Sequence, residues 1–349
     1  MEKQINNINR NNNFNLIRLF AALQVVLWHS GEHLLSKNNF KFLELFPGVP
    51  IFFVISGFLI YSSYDRNNDF RKYLKNRCLR IFPGLWSVFF FTVIILSFLG
   101  YIIPNLKDPK FWVWTITQVT IFQFYTPEFL KSFGVGNPNG SLWTIFIEFS
   151  FYLFVPILFF FKNKHVKLIF ILVLFVTSIL FNSWYSVNYK NSGQELSTLQ
   201  KIMGVNLLPF LFYFLLGVLQ RMYWDSIRTF FVNKGFYWLG FYFIYYLIFS
   251  VYLNKYEVSY WPNFYGLFST CLLSGTVISL AYSYCPKKEF LKGNDLSYGL
   301  YLYHMPLVNL AVYFNFKDMP LVFLLVFLCT IIISYISWIF IEKPALRLK

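Results

Sequence analysis

The chain has 349 residues, of which 57% are hydrophobic and 13% charged, with 46 phenylalanines. A soluble domain of this length rarely exceeds about half apolar residues, so the composition excludes an ordinary soluble enzyme and points to an all-α integral membrane protein. The formal net charge of +15 resides in short loops between apolar runs, which fits topology signals and contacts to anionic membrane lipids rather than a nucleic-acid partner.

Residues 1–13, which include Asn6-Asn7-Ile8-Asn9-Arg10-Asn11-Asn12-Asn13, are polar and of low complexity. They read as a disordered N-terminal tail, and residues 14–349 as a single polytopic membrane domain. A cleaved signal peptide is not expected, because the following apolar run is too long and too interrupted. Apolar windows near the roughly 20 residues needed to cross a bilayer recur at 14–35, 44–64, 79–103, 142–161, 168–187, 202–221, 235–254, 263–284, 295–316 and 320–341. They predict about ten transmembrane helices.

One further stretch, 111–126, is shorter and carries Thr115, Thr117, Gln118, Thr120 and Gln123. Loop charge decides how to count it. Segment 65–80 holds Arg66, Arg71, Lys72, Lys75, Arg77 and Arg80, and loop 162–167 holds Lys162, Lys164 and Lys167. Both should face the cytoplasm. They can do so together only if 111–126 does not cross, so it is expected to be re-entrant or interfacial, inside a structured outer loop from 104 to 141. Both termini are then cytoplasmic, as are Arg221, Arg228 and Lys234, and Lys287, Lys288 and Lys292. No internal repeat supports an inverted-repeat transporter. The four cysteines, Cys78, Cys271, Cys285 and Cys329, show neither a disulfide nor a zinc pattern, and no metal is expected.

Ionisable residues within apolar spans are rare and usually functional. Arg18 and His29 lie eleven residues apart in the first span, close to three helical turns. They share a face roughly 16 Å apart along the axis. Glu148 enters the fourth span from the outside to about the depth of His29, roughly 9 Å, where its carboxylate could accept an imidazole N–H and fix the ring's tautomer. The bland alternative is a glutamate snorkelling to outer water. Arg77 and Arg80 are neighbours on one helix face and suit bidentate phosphate binding; positive-inside anchoring explains them equally well. His304 reads either as a site residue or as a packed histidine bonded to a tyrosine or to a carbonyl freed by Pro306. Ser56-Gly57 reads as close helix packing, and Trp86, Trp261 and Trp338 as interfacial anchors.

Several segments, taken in order, carry a family likeness. They are Leu16-Ile17-Arg18 with His29; Gly48-Val49-Pro50-Ile51-Phe52-Phe53-Val54-Ile55-Ser56-Gly57-Phe58-Leu59; and Arg77-x-x-Arg80-Ile81-Phe82-Pro83. Ser141-Leu142-Trp143-Thr144 through Glu148 to Phe151-Tyr152, Ser297-Tyr298 through His304-x-Pro306, and Ile341-Glu342-Lys343-Pro344 follow. The set resembles the acyltransferase-3 family of integral-membrane acyltransferases, many of which O-acetylate bacterial cell-surface polysaccharides. Asn15 and Phe149 depart from the residues common in the family at those positions.

The resemblance implies ten spans in the bacterial inner (cytoplasmic) membrane. It also implies acetyl-CoA or another acyl-CoA as donor, a catalytic histidine at His29, and donor-binding arginines at Arg18, Arg77 and Arg80. Ser141, Trp143, Tyr152 and His304 are candidate substrate-binding residues. The expected reaction moves an acyl group from cytoplasmic acyl-CoA to a hydroxyl of a glycan or lipid-linked glycan. His29 is expected to act as general base, oriented by Glu148, or as nucleophile through an acetyl-histidine. The rival readings are a transporter or flippase for a polysaccharide intermediate, with His29 and Glu148 in a proton relay, and an acyltransferase for a lipid or small acceptor.

Overall fold

The computed structural model describes residues 12–36, 40–190, 197–252, 264–283 and 293–349. Tail residues 1–11, Trp261, Cys285, Lys287, Lys288 and Lys292 lie outside these. Among the described residues the chain is helical, without strands. Each of the ten apolar windows holds a helix. In chain order these, with one shorter helix between the third and fourth windows, are α1 (Phe14–Leu34), α2 (Gly48–Arg66), α3 (Phe70–Phe98), α4 (Pro109–Val119), α5 (Trp143–Leu158) and α6 (Lys164–Tyr185). Then come α7 (Leu207–Met222), α8 (Gly235–Tyr246), α9 (Phe264–Ala281), α10 (Ser297–Tyr313) and α11 (Pro320–Ser337).

Six segments among the described residues are long and apolar enough to cross a membrane, and they contain α2, α3, α5, α6, α7 and α11. The apolar helices Gly235–Phe249 and Gly266–Ala281 are shorter, and α10 has 17 residues. The intervening α4 has 11 residues, roughly 16 Å by helical rise, too short for a hydrocarbon core of about 30 Å. Asp108 starts it by accepting the Lys110 N–H at 2.9 Å, with Pro109 preset at the first helical position.

The chain packs as two compact units. The first comprises Met1–Ala21, Glu44–Asp69 and Ser150–Gly293; the second comprises Ala22–Leu43, Phe70–Phe149 and Asn294–Lys349.

In the first unit, α2 and α7 meet through reciprocal glycines. A Cβ on Gly57 would stand 2.0 Å from the Phe214 carbonyl oxygen, and one on Gly217 would stand 2.1 Å from the Val54 carbonyl oxygen. The close packing expected of Ser56-Gly57 is thus a backbone-to-backbone crossing of the kind small residues allow in membranes. Phe151 stacks on Phe214 beside it, centroids 4.1 Å apart. Polar side chains join α6 to α7: Ser178 donates to the Leu208 carbonyl at 2.6 Å, and Asn182 to the Pro209 carbonyl at 2.7 Å. Both acceptors lie in the first turn of α7, whose Asn206 caps the Leu208 N–H at 2.8 Å.

In the second unit, segment 99–142 is ordered by burial. Phe111 and Trp114 of α4, together with Ile102, Leu130 and Phe133, pack on Phe89 and Leu96 of α3. A smaller cluster joins Leu34 of α1 to Val308 and Ala311 of α10 and Val326 of α11. A π-helix, Trp338–Glu342, follows α11. It carries a buried carboxylate, Glu342, which accepts the Ser337 hydroxyl at 3.0 Å. Trp338 corrects the expectation of an interfacial anchor. It is 5% exposed, and its indole N–H donates to Asn294 at 2.9 Å. Trp86 is half exposed and donates to the Val119 carbonyl at 2.9 Å.

Candidate active site

The second unit brings His29 of α1 to His304 of α10. His29 Nδ1 lies 2.9 Å from His304 Nε2, and the rings are nearly parallel, 8° apart. His304 is fully buried. Its other nitrogen, Nδ1, lies 3.2 Å from the Leu300 carbonyl oxygen. A carbonyl can only accept, so His304 Nδ1 must carry its proton, and in the neutral ring Nε2 is then the acceptor. His29 Nδ1–H donates to it. The His29 Nε2 is left with its lone pair, the form a general base or nucleophile requires. One turn further along α1, His33 stacks on His29 with centroids 6.3 Å apart.

The acceptor at His29 Nδ1 is therefore His304. Glu148 is half-buried on α5. His304, which reads from the sequence either as a site residue or as a packed histidine, is thus brought against His29. The carbonyl it meets is not the one that proline frees. Pro306 has no N–H for the carbonyl four residues earlier, that of Leu302. That oxygen accepts Asn139 Nδ2 at 2.9 Å.

Asn139 is one of several ties between α10 and segment 134–144. Asn309 accepts the Val135 N–H at 2.7 Å and donates to the carbonyls of Asn137 and Pro138 at 3.0 and 3.1 Å. Gly134, at φ +57°, sits so close that a Cβ would fall 2.1 Å from Asn309 Oδ1. The Tyr301 hydroxyl donates to the Ser141 carbonyl, so the Thr144 hydroxyl, 2.6 Å away, donates to Tyr301. Ser141 is 2% exposed and its hydroxyl donates to Asn139 Oδ1 at 2.9 Å. That bond helps to hold segment 134–144 together. Trp143 is half-buried in the second unit, and Tyr152 is buried in the first, at 1% exposure.

Arg77 and Arg80 are adjacent on α3 as their spacing predicts. The Arg77 guanidinium lies over the Tyr73 ring, 5.5 Å from its centroid. Arg80 Nη2 meets Asp295 Oδ2 at 2.6 Å. Arg18 is half-buried on the first-unit part of α1. Sequence reasoning missed Asn139, Asn309 and Asp295. Asn309 left one signal, an amide inside an apolar helix three residues after Pro306. Among the described residues, no group of three or more His, Cys, Asp or Glu side chains is arranged to hold a metal ion.

A family model described as an acyltransferase domain matches residues 11–339. The chain belongs to this acyltransferase-3 family. Its relatives include Nodulation protein 10 of Rhizobium leguminosarum bv. viciae, 30% identical over 97% of this chain and 94% of that protein. An O-acetyl transferase of Shigella phage Sf6 is 25% identical, with 96% of each chain covered. O-acetyltransferase OatA of Staphylococcus aureus is 24% identical over 94% of this chain, which spans 56% of that longer protein. No solved structure gives a significant match. Family membership and six apolar helices together make this acyltransferase an integral membrane protein.

Proposed function

We propose that the protein is a membrane-embedded O-acyltransferase that moves an acetyl or other acyl group from acyl-CoA to a hydroxyl of a cell-surface glycan or its lipid-linked precursor. The observation that carries the reading is the His29–His304 hydrogen bond, because it leaves a basic nitrogen at His29 Nε2. The O-acetyltransferase names of the phage and staphylococcal relatives support the reaction class.

In this reaction the acceptor oxygen attacks the thioester carbonyl carbon while His29 Nε2 takes the hydroxyl proton. The positive charge that develops is shared with His304 through the Nδ1–H···Nε2 bond, and the Leu300 carbonyl keeps the second ring from rotating. The C–S bond then breaks, and the proton on His29 passes to the departing thiolate. The acyl-CoA phosphates are assigned to Arg77 and Arg80, whose paired guanidinium groups suit them. Arg18 stands eleven residues before His29 on continuous α1, and the roughly 16 Å of helical rise between them is about the reach of an extended pantetheine arm. The loop charges support a cytoplasmic donor and cytoplasmic termini, and the bacterial and phage relatives support a location in the bacterial inner membrane.

The deciding experiment uses purified protein in proteoliposomes with radiolabelled acetyl-CoA. Wild type should release free CoA in the presence of a glycan acceptor and transfer label to it, and His29→Ala should do neither while still binding acetyl-CoA. Near-normal turnover in His29→Ala would overturn the assignment. Rapid mixing without acceptor separates the two chemistries at the same nitrogen: label retained on protein means an acetyl-histidine, and none means direct transfer.

A further inference from the structure

The Arg80–Asp295 pair has features that packing alone does not require. Asp295 is 6% exposed, and both its oxygens are engaged. Oδ2 takes Arg80 Nη2 at 2.6 Å; Oδ1 takes the Ser297 N–H at 3.2 Å and the Ser297 hydroxyl at 2.5 Å. Those two bonds fasten the carboxylate to the start of α10, the helix that carries His304. Next to it, Asn294 Oδ1 takes the Trp338 indole N–H at 2.9 Å and the Lys343 ammonium at 3.4 Å. The carboxylate is thus a fixed anchor and not a mobile counterion. A partly buried ion pair adds little net stability, since desolvation offsets most of the attraction. What the pair does supply is a stationary guanidinium. The Arg80 side chain also keeps 18% of its surface exposed, so the held guanidinium can still be reached. Arg77, one turn away, is steadied in its own manner by the buried Tyr73 ring.

We infer that Asp295 is a positioning residue for donor binding: it holds Arg80 in a preset orientation beside Arg77, so that the two guanidinium groups form a ready-made site for the phosphates of acyl-CoA. The inference rests on the proposed use of acyl-CoA. Preorganisation of this kind strengthens binding by removing the ordering penalty from the bound state. A simple electrostatic view predicts the opposite sign, because removing a carboxylate next to two cations should attract a polyanion more strongly.

The test compares two thioesters with the full-length protein in proteoliposomes. Acetyl-CoA carries the phosphates, and S-acetyl-N-acetylcysteamine lacks them. In Asp295→Asn the KM for acetyl-CoA should rise about tenfold, the change expected on losing one well-oriented charge-assisted contact, while kcat and the KM for the truncated thioester move less than about twofold. An unchanged or lowered acetyl-CoA KM, or equal changes with both thioesters, would overturn the inference. Should Asp295→Asn not fold, Asp295→Glu decides. It keeps the charge but displaces it by one methylene, and should raise the acetyl-CoA KM about threefold, selectively; no selective rise overturns the inference. If wild type turns over neither thioester, the proposed donor fails, a result distinct from a wild-type enzyme whose donor preference is indifferent to position 295.

Discussion

His304 offers the sharpest test of the chemistry, because its two ring nitrogens have separate partners. Nδ1 meets the Leu300 carbonyl at 3.2 Å and Nε2 meets His29 at 2.9 Å. An Asn amide reaches about as far as an imidazole Nδ1, and a Gln amide about as far as Nε2. His304→Asn therefore keeps the bond to Leu300 and loses the one to His29. The His29 Nδ1–H is then left without its acceptor, a loss of about 1–3 kcal/mol for a buried donor, and the ring is free to place its proton on the nitrogen that must act as base. If that penalty falls on the transition state, kcat drops about 5- to 150-fold. His304→Gln, which can present an oxygen to His29, should recover most of the loss. Because the two rings act as one unit, His29→Ala with His304→Asn should be no slower than His29→Ala alone. The assay is initial-rate release of CoA at saturating acetyl-CoA, with thermal unfolding measured in parallel to confirm folding. A His304→Asn enzyme within twofold of wild type, or Asn and Gln variants of equal activity, would refute the role proposed for His304.

Two further outcomes concern stability. Gly217→Ala should destabilise the protein by about 3 kcal/mol or more, at or beyond the upper end of ordinary overpacking, because its Cβ would meet the Val54 carbonyl oxygen at 2.1 Å. Gly240→Ala, with nothing within 4 Å, should be neutral or gain up to about 1 kcal/mol of helix propensity; equal thermal midpoints for the two variants would contradict the crossing. Asp318 accepts the Ser36 N–H at 2.5 Å, and bonds from the Ser36 side chain and backbone hold its carboxyl below the usual carboxylate range. A depressed folded pKa means the contribution is fully present above the unfolded value of about 3.9 and is lost as pH falls through the lower folded value. The gap in thermal midpoint between wild type and Asp318→Asn should hold steady from about pH 7 to 5 and narrow as pH falls below the unfolded value of about 3.9; a gap that widens on acidification would reverse the sign.

The helices were legible because apolar windows of membrane length leave a strong local signal, and each of the ten windows contains one. The span count was harder to read. Several helices are shorter than their windows, and the apolar run of α1 is broken by Asn15, Arg18 and Gln24, polar residues that hydropathy alone scores against membrane insertion. Arg18, His29, Arg77 and Arg80 stood out for the same reason: each carries polarity into an apolar surrounding. Their partners were not legible. His29 meets His304 across 275 positions and Arg80 meets Asp295 across 215, and one sequence offers no rule for choosing among polar residues that far apart. Equal depth made Glu148 a reasonable partner for His29, but depth fixes only one coordinate of a contact, and helix rotation and neighbour order fix the rest. Trp338 misled because an indole near a span end resembles an interfacial anchor until its N–H finds Asn294.

The second unit is discontinuous, and this dictates the order in which the protein can be completed. Asn139 is synthesised 163 residues before the Leu302 carbonyl it serves, and His29 precedes its partner by 275. During translation α1, α3 and segment 134–144 must wait, already threaded into or beside the membrane, while the Ser150–Gly293 part of the first unit emerges. Such long-range closure is slow, because loop entropy is lost before the contacts form. The candidate site is therefore among the last parts of the protein to come into existence. A chain stalled or cut before α10 would hold His29 without the ring its Nδ1 meets, so on the proposed chemistry a nascent chain of this acyltransferase stays inert until its final helices have docked.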